Sequence, residues 1–218
     1  MKRIKLLCAL ISTIFLISTN ANTTTLRIGA GVNFLMPHTE KIQAFSDQLL
    51  AGRRATYHPG LLLDISGQWL WEHAILELNY YYLYNSLNIA NKTENVTASS
   101  MTKGFTSSHN IVVNGIYRFY PHHYLSPYLG LGAGAAYVHV FQSLGFPFVT
   151  AEGIRDSAPS FATNFLFGLS YVLTTHLNLD LRARYLYLFP CVKERFRRQM
   201  RLALNNVSFT VALNAKLR

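Results

Sequence analysis

The sequence predicts an all-β fold: an eight-stranded antiparallel up-and-down transmembrane β-barrel with short periplasmic turns and long extracellular loops. Three observations lead there. The chain opens like an exported protein, it is 50% hydrophobic without a spanning helix, and eight of its segments alternate apolar and polar residues with period two.

Residues 1–21 read as a signal peptide. Lys2, Arg3 and Lys5 precede an apolar core from Leu6 to Ile17, and Thr19, Asn20 and Ala21 offer a small-x-small cleavage site. That core is too short to cross a bilayer as a helix, and no later stretch reaches the ~18 uninterrupted apolar residues a helix needs. The barrel domain is then 22–218. Cys8 leaves with the signal and Cys191 remains alone, so no disulfide framework holds the exported chain.

The alternation can be named segment by segment. In TLRIGAGVNF, Leu26, Ile28, Ala30, Val32 and Phe34 oppose Arg27, Gly29, Gly31 and Asn33. Near LLLDISGQW, Leu61, Leu63, Ile65 and Trp69 oppose Asp64, Ser66 and Gln68. In AILELNYYYLYN, Leu76, Leu78, Tyr80, Tyr82 and Tyr84 oppose Glu77, Asn79 and Tyr81. In HNIVVNGIYRF, Ile111, Val113, Tyr117 and Phe119 oppose Asn110, Asn114 and Arg118. The fifth segment is SPYLGLGAGAAYVHV. The sixth, FATNFLFGLSYV, sets Phe161, Phe165, Phe167, Leu169 and Tyr171 against Asn164, Gly168 and Ser170. LNLDLRARYLYLF sets Leu177, Leu179, Leu181, Ala183, Tyr185 and Tyr187 against Asn178, Asp180, Arg182 and Arg184. VSFTVALNAKL sets Val207, Phe209, Val211 and Leu213 against Ser208, Thr210, Asn214 and Lys216.

A soluble β-sandwich alternates too, so the connections decide. Those after segments one, three, five and seven are long (35–57, 87–106, 142–160, 190–205), and those after two, four and six are short (70–73, 120–126, 173–176). Strict alternation of loop and turn is the outer-membrane barrel pattern, whereas a Greek-key sandwich mixes them. Aromatics give a second check. With both ends in the periplasm, Tyr82, Tyr84, Tyr137, Phe161, Tyr185 and Tyr187 fall at the outer lipid boundary, and Trp69, Tyr117, Phe119 and Tyr171 at the inner one.

The fifth segment carries Gly130, Gly132 and Gly134 at every second position. A phosphate-binding loop spaces its glycines differently and opens a helix, and a membrane helix would need a longer apolar run. Read as a strand, Leu129, Leu131, Ala133, Ala135 and Tyr137 point one way, and Tyr128, the three glycines and Ala136 the other. PYLGLGAGAAYV and LDLRARYLYL resemble the fifth and seventh strands of small eight-stranded outer-membrane barrels, the group containing the transmembrane domain of outer-membrane protein A and the opacity proteins. The resemblance covers the mature chain and implies insertion by the barrel-assembly machinery. Members of that family commonly end in an aromatic residue, whereas this chain ends NAKLR with Phe209 its last aromatic.

An eight-stranded barrel has an interior just wide enough for side chains. Gly29, Gly31, Gly130, Gly132 and Gly134 are expected to give clearance to the long inward residues. Arg27, Arg118, Arg182, Arg184 and Lys216 share the inward side with Asp64, Glu77 and Asp180, which predicts an ion-pair network; Asn33, Gln68, Asn79, Asn110 and Asn114 fill gaps. A plug is favoured over the constriction of a small-solute channel.

The densest charge is VKERFRRQMR, where Lys193, Arg195, Arg197, Arg198 and Arg201 meet Glu194. On an outer loop such a run is suited to lipopolysaccharide phosphates or a host-surface polyanion; the alternative reading is a merely solvated loop, helical or not, that binds nothing. A lipid A hydrolase is the catalytic alternative: Ser107 and His109 share a face and His139 neighbours them, with Glu94 and Glu152 as loop acids, but Ser-x-His reverses the His-x-Ser order of the deacylase family. His122 and His123 in a short turn lack a Cys or carboxylate beside them, so no metal site is expected. Asn91 and Asn95 open glycosylation-type triplets that carry no weight in a bacterial envelope. The expectation is a non-enzymatic barrel without cofactor, whose partners are outer-membrane lipid, lipopolysaccharide and host-surface or envelope ligands, and not nucleic acid.

Overall fold

The computed structural model describes residues 23–37, 54–90, 102–142, 154–189, 194–195, 198–199 and 204–217. They form a closed all-antiparallel barrel of eight strands: β1 (Thr23–Pro37), β2 (Gly60–Leu70), β3 (Ala74–Ala90), β4 (Thr102–Arg118), β5 (Leu125–Gln142), β6 (Ile154–Val172), β7 (Leu177–Leu188) and β8 (Leu204–Leu217). Each strand pairs with its chain neighbours, and β1 closes the ring on β8. No helix occurs among the described residues. The residues assigned to the signal peptide lie outside the described set, as do Cys191, Asn91, Asn95, Glu94 and Glu152.

Register fixes the geometry. Starting at Leu26 and stepping through paired residues, the path runs Gly67, Leu78, Val113, Ala133, Thr163, Tyr187 and Asn205 and re-enters β1 at Met36, a stagger of 36 − 26 = 10 residues. A stagger of that size tilts the strands by about 40° and leaves a lumen that side chains fill. Closure also gives every strand two partners, which a chain in lipid requires because no water is available to its backbone.

Burial alternates through the middle of the strands with the predicted parity, and the alternation is lost toward the strand ends, where Thr106, Ser107 and Ser108 of β4 are all buried. On β2, Leu62, Asp64, Ser66, Gln68 and Leu70 are buried inside and Leu61, Leu63 and Ile65 are exposed outside. The outside is a band of exposed apolar residues, among them Ile28, Val32, Ile111, Leu131, Phe165 and Val211. A large apolar surface on an isolated chain marks an interaction surface; a band encircling a closed barrel fits lipid.

Three short turns lie at one end with Thr23 and Leu217, and the long connections lie at the other. Several strands run further toward that second end than alternation predicts: β3 reaches Ala90, β4 begins at Thr102 and β6 at Ile154. The sequence there is polar on both faces, as in Asn85-Ser86 and Asp156-Ser157, which removes the period-two signal although the ladder continues. Ahead of β2, Arg54–Tyr57 pairs with the same strand, β3, but its register is offset by one residue: Tyr57 faces Leu87 and Leu61 faces Tyr84. The extra residue is a bulge at Pro59, where proline cannot donate to the ladder.

Two of the predicted clearance glycines answer to the backbone. A Cβ on Gly134 would strike the Ile111 carbonyl of β4, and one on Gly31 the Phe209 carbonyl of β8. The others answer to side chains: Gly29 faces Asp64 and Thr210, Gly130 faces Leu166 and Ile116, and Gly132 faces the amides of Asn114 and Asn164. Gly168 on β6 makes room for the inward ring of its register partner Tyr128. Gly134→Val is therefore expected to lower the unfolding midpoint in detergent or to abolish the heat-resistant gel form, whereas Ala133→Val, one residue away on the outside, leaves both unchanged.

Candidate functional site

The lumen is stratified. Leu35, Leu62, Leu83, Val112, Val138, Leu186 and Leu188 pack with Tyr81 into an apolar cluster toward the long connections. Leu70, Ile75, Ile116, Tyr128 and Leu166 form a second near the turns. Between them lie Arg27, Arg182 and Arg184 with Asp64, Glu77 and Asp180, all buried, a balance of three cations and three anions.

Strand pitch brings these six together from β1, β2, β3 and β7. Arg182 holds Glu77 with two parallel bonds, Nη1 to Oε1 at 2.8 Å and Nη2 to Oε2 at 2.9 Å. Glu77 also accepts from Asn114 (2.7 Å), Gln68 (2.6 Å) and Ser66 (3.2 Å), so both of its oxygens are satisfied. Arg27 bridges two carboxylates, donating from Nη1 to Asp64 and from Nε and Nη2 to Asp180 Oδ1 at 3.2 and 3.1 Å. The Tyr128 hydroxyl donates to Asp180 Oδ2 at 2.7 Å and accepts from Arg182 Nε at 3.0 Å, joining the two halves. Arg184 is held more loosely, by Asp64 at 3.4 Å and Asn79 at 3.5 Å, and lies 4.2 Å over the Tyr81 ring. A bidentate arginine–carboxylate pair is among the strongest protein hydrogen-bond arrangements, and low-dielectric surroundings strengthen it further.

Two predicted members stand apart. Arg118 lies at the last position of β4 and donates from Nη2 to the Glu72 carbonyl in the β2–β3 turn (3.0 Å), not to an inward carboxylate. Lys216 is exposed near the end of β8. Parity points both inward, but both lie at strand ends near the rim, away from the inward carboxylates. The asparagines act as filler: Asn33 donates to Asn85, and Asn110 to the Tyr81 carbonyl. A cavity of about 20 Å³, lined in part by Thr25, Gln68, Arg118 and Tyr128, lies on the turn side of the network; it is room for a single water.

Sequence reasoning missed the inward apolar layer. Leu62, Leu83, Val112, Leu186 and Leu188 are fully or almost fully buried, yet each stands in a run such as LLL or YLYL where inner and outer residues are both apolar. It also missed Tyr128 as the bridge of the network; its inward parity was visible, its partner was not.

On the outside, near the long-connection end, the predicted residues converge. Ser107 is the register partner of His139, and His109 of Tyr137. The His109 and His139 ring centroids lie 5.9 Å apart, Tyr82 lies 5.0 Å from His109, and Tyr137 4.7 Å from His139. The Tyr80 hydroxyl is 2.8 Å from His109 Nδ1. At the turn end His122 does have a carboxylate nearby, Glu72 at 3.5 Å, but among the described residues no group of three candidate ligands is placed to hold a metal. In the long connection after β7, Glu194–Arg195 pairs antiparallel with Arg198–Gln199; Lys193, Arg197 and Arg201 lie outside the described residues.

No family model matches the sequence, and no curated protein does. Solved structures match across nearly the whole chain. Neisserial surface protein A is 18% identical at a TM-score of 0.52, with 89% of this chain and 96% of that chain covered. A major outer membrane protein from Thermus thermophilus is 9% identical at 0.54, covering 90% and 100%. The outer membrane protease OmpT from Escherichia coli is 6% identical at 0.52, covering 91% and 98%. The likeness is one of fold, the outer-membrane β-barrel, and its bearers include a protease.

Removal of one partner of a buried ion pair strands the other, a loss of about 3–5 kcal/mol. Glu77→Ala is expected to destabilise the barrel by that amount in urea unfolding from lipid vesicles. The paired substitution Glu77→Leu with Arg182→Leu should restore most of it, since it leaves no charge stranded.

Proposed function

We propose that the chain is a non-enzymatic integral outer-membrane barrel, exported by a cleaved signal, that acts through its lipid face and long connections and conducts nothing through its lumen. The observation that carries this reading is the lumen itself: a charge-balanced network saturates Glu77 and is capped on both sides by apolar clusters. Ions crossing it would have to break buried pairs and wet two apolar layers, both costly.

Because the network is neutral, the excess positive charge of the chain resides outside it: +10 overall, or 10 − 3 = +7 once Lys2, Arg3 and Lys5 leave with the signal. Part of that excess is the basic run at Lys193, Arg195, Arg197, Arg198 and Arg201, whose position in the long connection after β7 supports contact with lipopolysaccharide phosphates or an anionic surface ligand. Envelope integrity, adhesion and surface recognition are roles such contacts serve.

In planar bilayers the purified protein is expected to give no unitary conductance steps; regular steps would replace the plug with a narrow pore. The pairing of Ser107 with His139 supports a second reading, hydrolysis of a lipid ester at the outer boundary. Mass spectrometry of lipid A from cells with and without the protein is expected to show identical acylation. An acyl chain lost only while Ser107 and His139 are intact would establish the hydrolase instead.

A further inference from the structure

The two histidines on the outer face call for their own explanation. Among the described histidines, His58 stands beside the Pro59 bulge and His73, His122, His123 and His176 lie in turns, so His109 and His139 are the two within the barrel ladder. Both belong to the outward register of β4 and β5, at the aromatic boundary next to the long connections. An imidazole in the hydrocarbon layer would be costly to charge, and a Tyr or Phe would serve as a belt residue equally well. Headgroup depth is where an imidazole offers something a phenyl ring does not: an N–H donor and a titratable positive charge.

The surroundings prepare these rings for an anion. Tyr80 ties up Nδ1 of His109 at 2.8 Å, which leaves Nε2 as the free polar atom of an exposed ring. His139 stands between Ser107 and Ser157 in register, and the Ser157 hydroxyl is 3.0 Å from that of Tyr137. The rings facing His109 are Tyr80, Tyr82 and His139, and those facing His139 are His109 and Tyr137. Among the described side chains no carboxylate contacts either imidazole, so among the described residues an imidazolium here has no counter-ion. Lys103 on β4 and Arg155 on β6 occur four residues beyond Ser107 and two beyond Ser157, toward the same end.

We infer that this face of β3–β6 binds the phosphomonoester groups of a lipopolysaccharide-type lipid, with the His109 and His139 imidazoles as the anion donors. The inference rests on the reading of the chain as an outer-membrane barrel and adds to it a headgroup site distinct from the basic run after β7. Doubly protonated His109 donates Nδ1–H to Tyr80 and Nε2–H to a phosphate oxygen, while Ser157 and Tyr137 supply neutral hydroxyls beside His139.

The test uses the full mature chain, labelled with ¹⁵N-histidine, in nonionic detergent. With bisphosphorylated lipid A added, the His109 ring-nitrogen titration is expected to move up by about one pH unit. With the same lipid enzymatically dephosphorylated it should not move, and inorganic phosphate at equal concentration should move it far less. Native mass spectrometry is expected to show at least tenfold weaker retention of the phosphorylated lipid by His109→Phe with His139→Phe, a variant that keeps the aromatic belt; heat-modifiable gel mobility checks that it folds. Equal retention of both lipid forms, or no loss in the double variant, overturns the site. A shift produced equally by inorganic phosphate overturns its assignment to a lipid. A protein that is soluble without detergent fails at an earlier point, the membrane reading itself.

Discussion

An eight-stranded barrel staggered by ten residues has a lumen of fixed and small width, and it must be filled in volume and in charge at once. The filling is visible residue by residue. Where Tyr128 turns inward, Gly168 faces it; where Asp64 reaches across, Gly29 yields; where a Cβ on β5 would strike the Ile111 carbonyl of β4, Gly134 has no side chain to offer. Charge follows the same rule, since three buried arginines meet three buried carboxylates and one tyrosine hydroxyl links the two groups. The apolar clusters above and below leave little more than a water-sized cavity beside Asp180 and Arg182, and such low-dielectric surroundings strengthen the attraction of the pairs and make an unbalanced charge costly.

That constraint explains what sequence could and could not reveal. Period-two alternation, the long–short rhythm of connections and the parity of Arg27, Glu77 and Arg182 were all legible, because pleat and closure leave them a single arrangement. Strand ends were not: at Asn85-Ser86 and Asp156-Ser157 the residues of both faces are polar, and the apolar–polar alternation disappears while the ladder continues. The inward leucines Leu62, Leu186 and Leu188 were hidden in runs that are apolar on both faces. Arg118 and Lys216 were placed inward by parity alone, and parity says nothing about how near a residue lies to the rim.

With the lumen closed by its own side chains, the outer surface becomes the place where the molecule meets other matter. The basic run after β7 and the imidazoles of β4 and β5 lie toward the same end of the barrel, one in a connection and one at the aromatic boundary. On the proposed reading they would meet different depths of one anionic layer. A fold shared with a protease and with a surface protein shows how little the scaffold dictates chemistry; the side chains carried on it decide.

The claim on which all of this depends is that lipid, not protein, covers the odd-numbered residues of β8. Spin labels placed singly at positions 207 to 213 in a Cys191→Ser background, with the protein in bilayers, would test it by collision with oxygen and with a water-soluble nickel complex. The expected result is high oxygen and low nickel accessibility at 207, 209, 211 and 213, and low accessibility to both at 208, 210 and 212. Nickel access at the odd positions, or no alternation at all, would contradict the account.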